Sequence, residues 1–200
     1  MSFNAFSSYL ADVLSVLCYA STPSALLYVF ADARREFELT VAGDFLELPL
    51  LDVAAWSKPS AGVGGSYRRA HELCAVFSTG TAIQSNRVEL KMFGRDRMSV
   101  WDYPPPGDDP SAKPVAMLAD IMRDCTKRGQ LVVDTFVGSG STFIAAEKTE
   151  RFCFGIDLDP FCVDESVRRL QAFTGKDAFH LDTGQRFNDL AWSRLMHQEG

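Results

Sequence analysis

Two features of the sequence could do chemistry together. The first is the run Asp134-Thr135-Phe136-Val137-Gly138-Ser139-Gly140, which follows an apolar stretch and opens a helical one. Glycines at 138 and 140 let backbone approach a ligand where side chains would clash, and the amides of a helix start favour a polar group. The second is Asp157, seventeen residues after Gly140 and at the end of the next strand pattern. Doubly wound folds place an acid there to meet the hydroxyls of a ribose. A tight strand-to-helix turn without ligand is the alternative for the glycines alone, and the acid shifts the balance towards a nucleotide-like ligand.

The motif is not Gly-x-Gly-x-x-Gly, and no Gly-Lys-Ser/Thr is present, so dinucleotides and nucleoside triphosphates fit less well. A ligand without phosphate, such as S-adenosylmethionine, fits better, since Asp134 could meet its cationic amino-acid end. Other candidates are weaker. His71 and Glu72 are adjacent in a strand pattern, so their side chains point to opposite faces and acid/base cooperation is disfavoured. His71 reads instead as packed or hydrogen-bonded. Asp102-Tyr103-Pro104-Pro105 sits in a connector and reads as coincidence, while Phe136 and Phe154, inside strand patterns, read as core.

Those residues need elements to hold them. Phe6, Leu10, Val13, Leu14 and Leu17 recur at helical spacing until Ser21-Thr22-Pro23 interrupts. Leu26 to Ala31 reads as strand, Asp32 to Ala42 as a short helix, Leu48 to Lys58 as extended, and His71 to Ser78 as strand. Ala61 to Tyr67 is loop, because its glycines weaken helix and strand alike. Patterning fades from Ser78 to Pro114, and the prolines of 103–110 exclude a helix interior or a central strand. Val115, Leu118, Ile121, Met122 and Cys125 then form a helical stripe after Pro114, with Gly129 as its stop. Strand Leu131 to Phe136, helix Ser141 to Thr149, strand Phe152 to Leu158 and helix Phe161 to Phe173 follow. The last helix carries Asp164 and Glu165 early and Arg168 and Arg169 late, as a helix dipole favours.

Composition sets outer bounds. The chain has 200 residues, 46% apolar and 23% charged, which suits one soluble globular domain. Its five cysteines form no Cys-x-x-Cys pair and no His/Cys metal spacing, so the sequence predicts neither disulfides nor a metal site and suits a reducing cytoplasm. The first basic residue is Arg34 and the longest apolar stretch is Ala25 to Ala31, so neither a secretory leader nor a membrane span is indicated. A net charge of -6 argues against a phosphate-gripping protein. Between Ser66 and Arg97, however, Arg68, Arg69, Arg87, Lys91, Arg95 and Arg97 face only Glu72, Glu89 and Asp96. A solvated charged loop explains that segment equally well.

The chain resembles the DNA N6-adenine and N4-cytosine methyltransferases of the permuted class, in which the catalytic half precedes the cofactor half. The likeness rests on Ala112-Lys113-Pro114-Val115, on Asp134 to Thr142, and on Gly155-Ile156-Asp157-Leu158-Asp159-Pro160, in that order. Trp56-Ser57-Lys58, the stretches Gly64 to Arg68 and Ala70 to Leu73, and Val100-Trp101-Asp102-Tyr103-Pro104 are weaker matches. Asp-Thr-Phe stands here for the family's usual Asp-Pro-Phe, Asp157 for a usual Glu, and Asp109-Pro110-Ser111 for His-Pro-Thr. The family's Asp/Asn-Pro-Pro-Tyr/Phe loop is absent, and the chain begins at about the helix that should follow it.

The resemblance implies an α/β, Rossmann-like methyltransferase fold with a mostly parallel sheet and helices on both faces. It implies one methyltransferase-like domain over 1–200, with 1–65 the remainder of the catalytic half, 66–112 a DNA-recognition or connector region, and 113–200 the cofactor half. S-adenosylmethionine would be held by Asp134, Phe136, Gly138, Ser139, Gly140 and Asp157, with Lys113 and Pro114 shaping the pocket. Arg68, Arg69, Arg95 and Arg97 would touch double-stranded DNA. No residue is assigned to catalysis, because the missing loop normally binds and activates the exocyclic amine of a flipped base. The chain is therefore expected either to work with a second chain supplying that loop, as part of a restriction-modification system, or to be inactive. The alternative is a non-catalytic DNA- or cofactor-binding module.

Overall fold

The computed structural model describes residues 2–58, 67–68, 70–80, 97–106 and 112–191. They form two compact units, Met1–Lys127 and Arg128–Gly200.

In the first unit, helix α1 (Phe3–Ala20) starts where the Ser2 hydroxyl accepts the Ala5 amide and stops at Ser21. Strand β1 (Leu26–Ala31), helix α2 (Glu36–Phe45), strand β2 (Leu50–Ser57), strand β3 (His71–Ser78) and the short strand β4 (Val100–Asp102) follow. The sheet order is β1-β3-β2-β4. Strand β3 runs antiparallel to both neighbours, whereas β4 lies parallel to β2. Three of the four strands therefore point the same way.

Residues Cys74 to Ser78 of β3 are all buried, because its two faces meet different helices. On one side Ala75 and Phe77 join Leu14 of α1, Leu27, and Leu39 and Ala42 of α2. On the other, Cys74 joins Ala54, Trp56 and Trp101 under Met117 and Ile121 of helix α3 (Val115–Cys125). Period-two alternation along one strand thus builds two cores. Trp56 is fully buried and its indole N–H donates to the Tyr103 carbonyl at 2.8 Å, which satisfies the one polar atom of the ring.

Helix α2 begins four residues later than the sequence predicts. The Asp32 carboxylate accepts the Arg34 amide at 2.9 Å and its guanidinium at 3.0 Å, so residues 32–35 form a side-chain-closed turn instead of a first helical turn. His71 is exposed, contrary to the expectation of a packed or hydrogen-bonded ring. Its neighbour Glu72, on the opposite face, holds both the Lys58 and the Lys113 ammonium at 2.9 Å. Lys58 lies 4.5 Å over the Trp56 ring, and Lys113 lies over both Phe30 and Trp56. The trio ties the end of β2 to the segment that leads into α3.

The second unit is strand β5 (Leu131–Asp134), helix α4 (Ser141–Thr149), strand β6 (Phe152–Gly155) and helix α5 (Pro160–Thr174). Strands β5 and β6 are parallel, in register from Leu131↔Phe152 to Asp134↔Gly155. Helix α4 packs on β6, where the Phe143 ring leaves no room for a side chain at Gly155. On the opposite face, Leu131, Val133, Phe152 and Phe154 are exposed. Phe154 is 66% and Phe136 61% exposed, so neither is core. Alternation identified the two faces of the strands correctly, but among the described residues of this unit a helix covers only one of them. Both strands are shorter than expected because the backbone turns after Asp134 and Gly155. No helix among the described residues is long and apolar enough to cross a membrane.

Met117 is fully buried beneath Trp56 and Trp101, so Met117→Ala is expected to lower stability by about 2–5 kcal/mol, read by urea unfolding with tryptophan fluorescence. Burial pushes the Glu72 carboxyl up, but the Lys113 and Lys58 ammoniums outweigh it and hold the group below its ordinary 4.5. Between 4.5 and that lower value the folded chain binds fewer protons than the unfolded one, so stability is lost as pH falls through this window. Glu72→Gln should flatten that slope in unfolding midpoints measured from about pH 6 to pH 3. Parallel slopes would mean that the trio does not contribute.

Candidate functional site

Strand β5 ends at Asp134, whose carboxylate closes the following turn from within. One oxygen accepts the Phe136 amide at 3.0 Å and the other accepts the Thr142 hydroxyl at 2.6 Å. The chain then passes through two left-handed glycines, Gly138 at φ +52° and Gly140 at φ +82°. Gly138 donates its amide to Asp157 at 2.8 Å, and the other Asp157 oxygen accepts the Asp159 amide at 3.0 Å. Asp159 in turn accepts the Phe161 amide at 2.9 Å and caps α5, with Pro160 at its first position. The turn and the end of β6 therefore form one hydrogen-bonded unit.

The two glycines are needed for different reasons. A side chain at Gly138 would meet nothing nearer than the Phe136 carbonyl at 4.0 Å, so only its backbone conformation excludes one and the space beside it is open. At Gly140 a Cβ would lie 2.7 Å from the Ser166 Cβ of α5. Gly140 thus serves close packing of turn on helix, which differs from the ligand approach expected of both. Next to it Ser141 opens α4 with a buried hydroxyl that has no hydrogen-bond partner. Beneath the turn, burial and the charge of Asp134 push the Cys153 thiol up to about 12, so it stays protonated.

Asp134, Phe136, Gly138, Ser139, Gly140 and Asp157 are brought together in this turn. Lys113 and Pro114 belong to the first unit, where Lys113 is ion-paired to Glu72. Sequence reasoning missed Arg169, whose guanidinium donates to the Ser139 carbonyl and, at 2.6 Å, to its hydroxyl. A basic residue late in a helix reads only as a dipole partner, and no local pattern announces a contact across 30 positions.

Of the arginines expected at DNA, Arg68 is exposed, while Arg69 and Arg95 lie outside the described residues. Arg97 does not project. It pairs with Asp124, reaches the Tyr103 hydroxyl at 3.3 Å and lies 4.9 Å over the Trp101 ring. Tyr103 also donates to Asp120 at 2.6 Å, and burial with that bond pushes its hydroxyl up to about 12. The Asp102-Tyr103-Pro104 stretch is thus a packing feature. Among the described residues no group of three His, Cys, Asp or Glu side chains could hold a metal ion.

The family model described as DNA methylase matches residues 1–168. Among curated proteins, the type II methyltransferase M.Cfr9I of Citrobacter freundii is 30% identical over 149 residues, 69% of this chain and 48% of its own length. The type II methyltransferase M.SmaI of Serratia marcescens is 28% identical over 63% of this chain and 46% of its own length. The chain spans about half the length of these curated relatives. Among solved structures, the cytosine-N4-specific PvuII DNA methyltransferase aligns with a TM-score of 0.74 at 16% identity, covering 84% of this chain and 72% of that one. A protein of Thermus thermophilus, named as a putative DNA modification methylase and complexed with S-adenosyl-L-methionine, aligns with a TM-score of 0.69 at 19% identity, covering 86% and 79%. Motifs, α/β fold and family match agree, and this chain belongs to the N6/N4 DNA methylase family.

Proposed function

We propose that the chain is the cofactor-binding part of an S-adenosylmethionine-dependent methyltransferase that modifies the exocyclic amino group of adenine or cytosine in double-stranded DNA. The observation that carries the reading is the turn between Asp134 and Gly140, braced on Asp157, with open space at Gly138 and an unpartnered buried hydroxyl at Ser141. An orphaned polar atom beside an open, rigid turn is what a built ligand site retains. Each carboxylate oxygen keeps a second lone pair after accepting one hydrogen bond, so Asp157 can still accept ribose hydroxyls and Asp134 can still face an ammonium. When bound, the cofactor supplies a methyl group on a sulfonium sulfur. Phe136, exposed at the turn, offers an aromatic face to its ring.

In this reading residues 1–65 are the remainder of the catalytic half, 66–112 the DNA-recognition and connector region, and 113–200 the cofactor half. Arg68, Arg69 and Arg95 meet phosphates, while Arg97 braces the region internally. DNA as substrate puts the work in the cytoplasm. Methyl transfer needs the amine held in line with the methyl group, and among the described residues we assign none to accept its hydrogen bonds. The acceptor is expected from an Asp/Asn-Pro-Pro-Tyr/Phe loop outside these 200 residues, for which a second chain is one source. A second reading is a non-catalytic cofactor- or DNA-binding module.

Calorimetric titration of S-adenosylmethionine into the chain is expected to show saturable binding that Gly138→Val abolishes, because a branched side chain cannot adopt φ +52° there. Absence of binding to a folded wild-type chain would refute the cofactor site. Methyl transfer to DNA on adding a chain with the loop supports the enzyme, and salt-dependent DNA binding without transfer supports the module.

A further inference from the structure

We infer that Arg169 is a positioning residue for the glycine turn, holding from outside what Asp134 and Asp157 hold from inside. The inference rests on the reading of that turn as the S-adenosylmethionine site and adds a determinant of its affinity. One guanidinium nitrogen of Arg169 donates to both the carbonyl and the hydroxyl of Ser139. The amide at the other end of the same peptide plane, that of Gly140, donates to the Val137 carbonyl at 2.9 Å. The plane between Ser139 and Gly140 is therefore gripped at both ends.

That grip matters because the residues themselves do not supply it. Rotation of a peptide plane changes ψ of the residue before and φ of the residue after, and here the residue after is glycine, which accepts either sign of φ. Stereochemistry alone would allow the plane to turn over. A second contact comes from the same helix face, since Ser166, one turn before Arg169, is buried against Gly140. Helix α5 thus meets both residues of the plane. Ser166 sets the distance by packing, and Arg169 sets the orientation by hydrogen bonding. Packing alone cannot set orientation, because a glycine offers no side chain to hold.

The test compares the full-length wild-type chain with Arg169→Ala and Arg169→Lys, and uses Arg168→Ala as control. Arg168 pairs with Asp164 on the same helix and has no bond to the turn among those described. Hydrogen exchange in the ligand-free chain is expected to show the Gly140 amide exchanging about tenfold faster in Arg169→Ala, with amides of β3 unchanged, as loss of a charge-assisted bond predicts. S-adenosylmethionine affinity should fall by about tenfold, and Arg169→Lys, which keeps the charge and a donor on a shorter side chain, should lie between. Unchanged exchange at Gly140 overturns the inference. So does acceleration spread evenly over the chain, which marks a purely structural role. If the wild type binds no S-adenosylmethionine while Gly140 still responds to Arg169→Ala, the positioning role stands and the cofactor reading falls.

Discussion

The hydrogen bond from the Gly138 amide to the Asp157 carboxylate, beside that from the Val137 amide to the Ile156 carbonyl at 3.1 Å, couples the loops that follow β5 and β6. Parallel strands β5 and β6 end side by side, and backbone bonds from Ile156 to Asp134 and from Val137 to Ile156 carry the pairing into the loops, where the carboxylate adds to it. A charged acceptor makes this bond stronger than an ordinary backbone pair. It fixes the conformation of Gly138, and through it the start of α4 and the approach of Gly140 to α5. Asp159, two residues on, uses the same kind of bond to launch α5. Turn, helix start and strand end are thus organised by carboxylates accepting backbone amides.

The first unit is organised by a different rule. Its sheet has one strand buried on both faces, and the helices that cover it are joined to it by apolar contact. One polar exception is Glu72 with its two lysines, set against Trp56 and Phe30. Each ammonium there has a carboxylate and an aromatic face, which offsets much of the cost of leaving water. Three short stretches that looked like separate motif fragments, around Trp56, Glu72 and Lys113, are one physical assembly.

Much of this was legible before the fold was seen, and the failures have physical causes. Strands β1 and β3 and helix α4 have the bounds that their apolar runs predict, because hydrophobic period and element length agree there. Strand β4 was not legible, since three residues carry no period. The late start of α2 was hidden because an Asp beside an Arg looks like helix but closes a turn. The glycine turn and its acid were found together and lie together. The burial of Phe136 and Phe154 was misjudged because alternation says which residues share a face and not whether the face is covered. Arg97 was taken for a DNA contact because counting charges does not tell which of them already have a partner. Arg169 was invisible for the converse reason, since its partner is distant in sequence.

Within the second unit, the exposed apolar face of β5 and β6 bears on how pieces of the protein can be handled. Four apolar side chains stand in two neighbouring rows on a pair of parallel strands, and strands of that kind are ordinarily enclosed on both sides. A two-stranded sheet has little stability of its own, and an apolar strand left open invites pairing with another chain. At the concentrations of a crystallisation drop, a fragment cut to this unit alone would favour self-association over staying dispersed. Solubility, more than folding, would then decide which pieces of this chain can be studied in isolation.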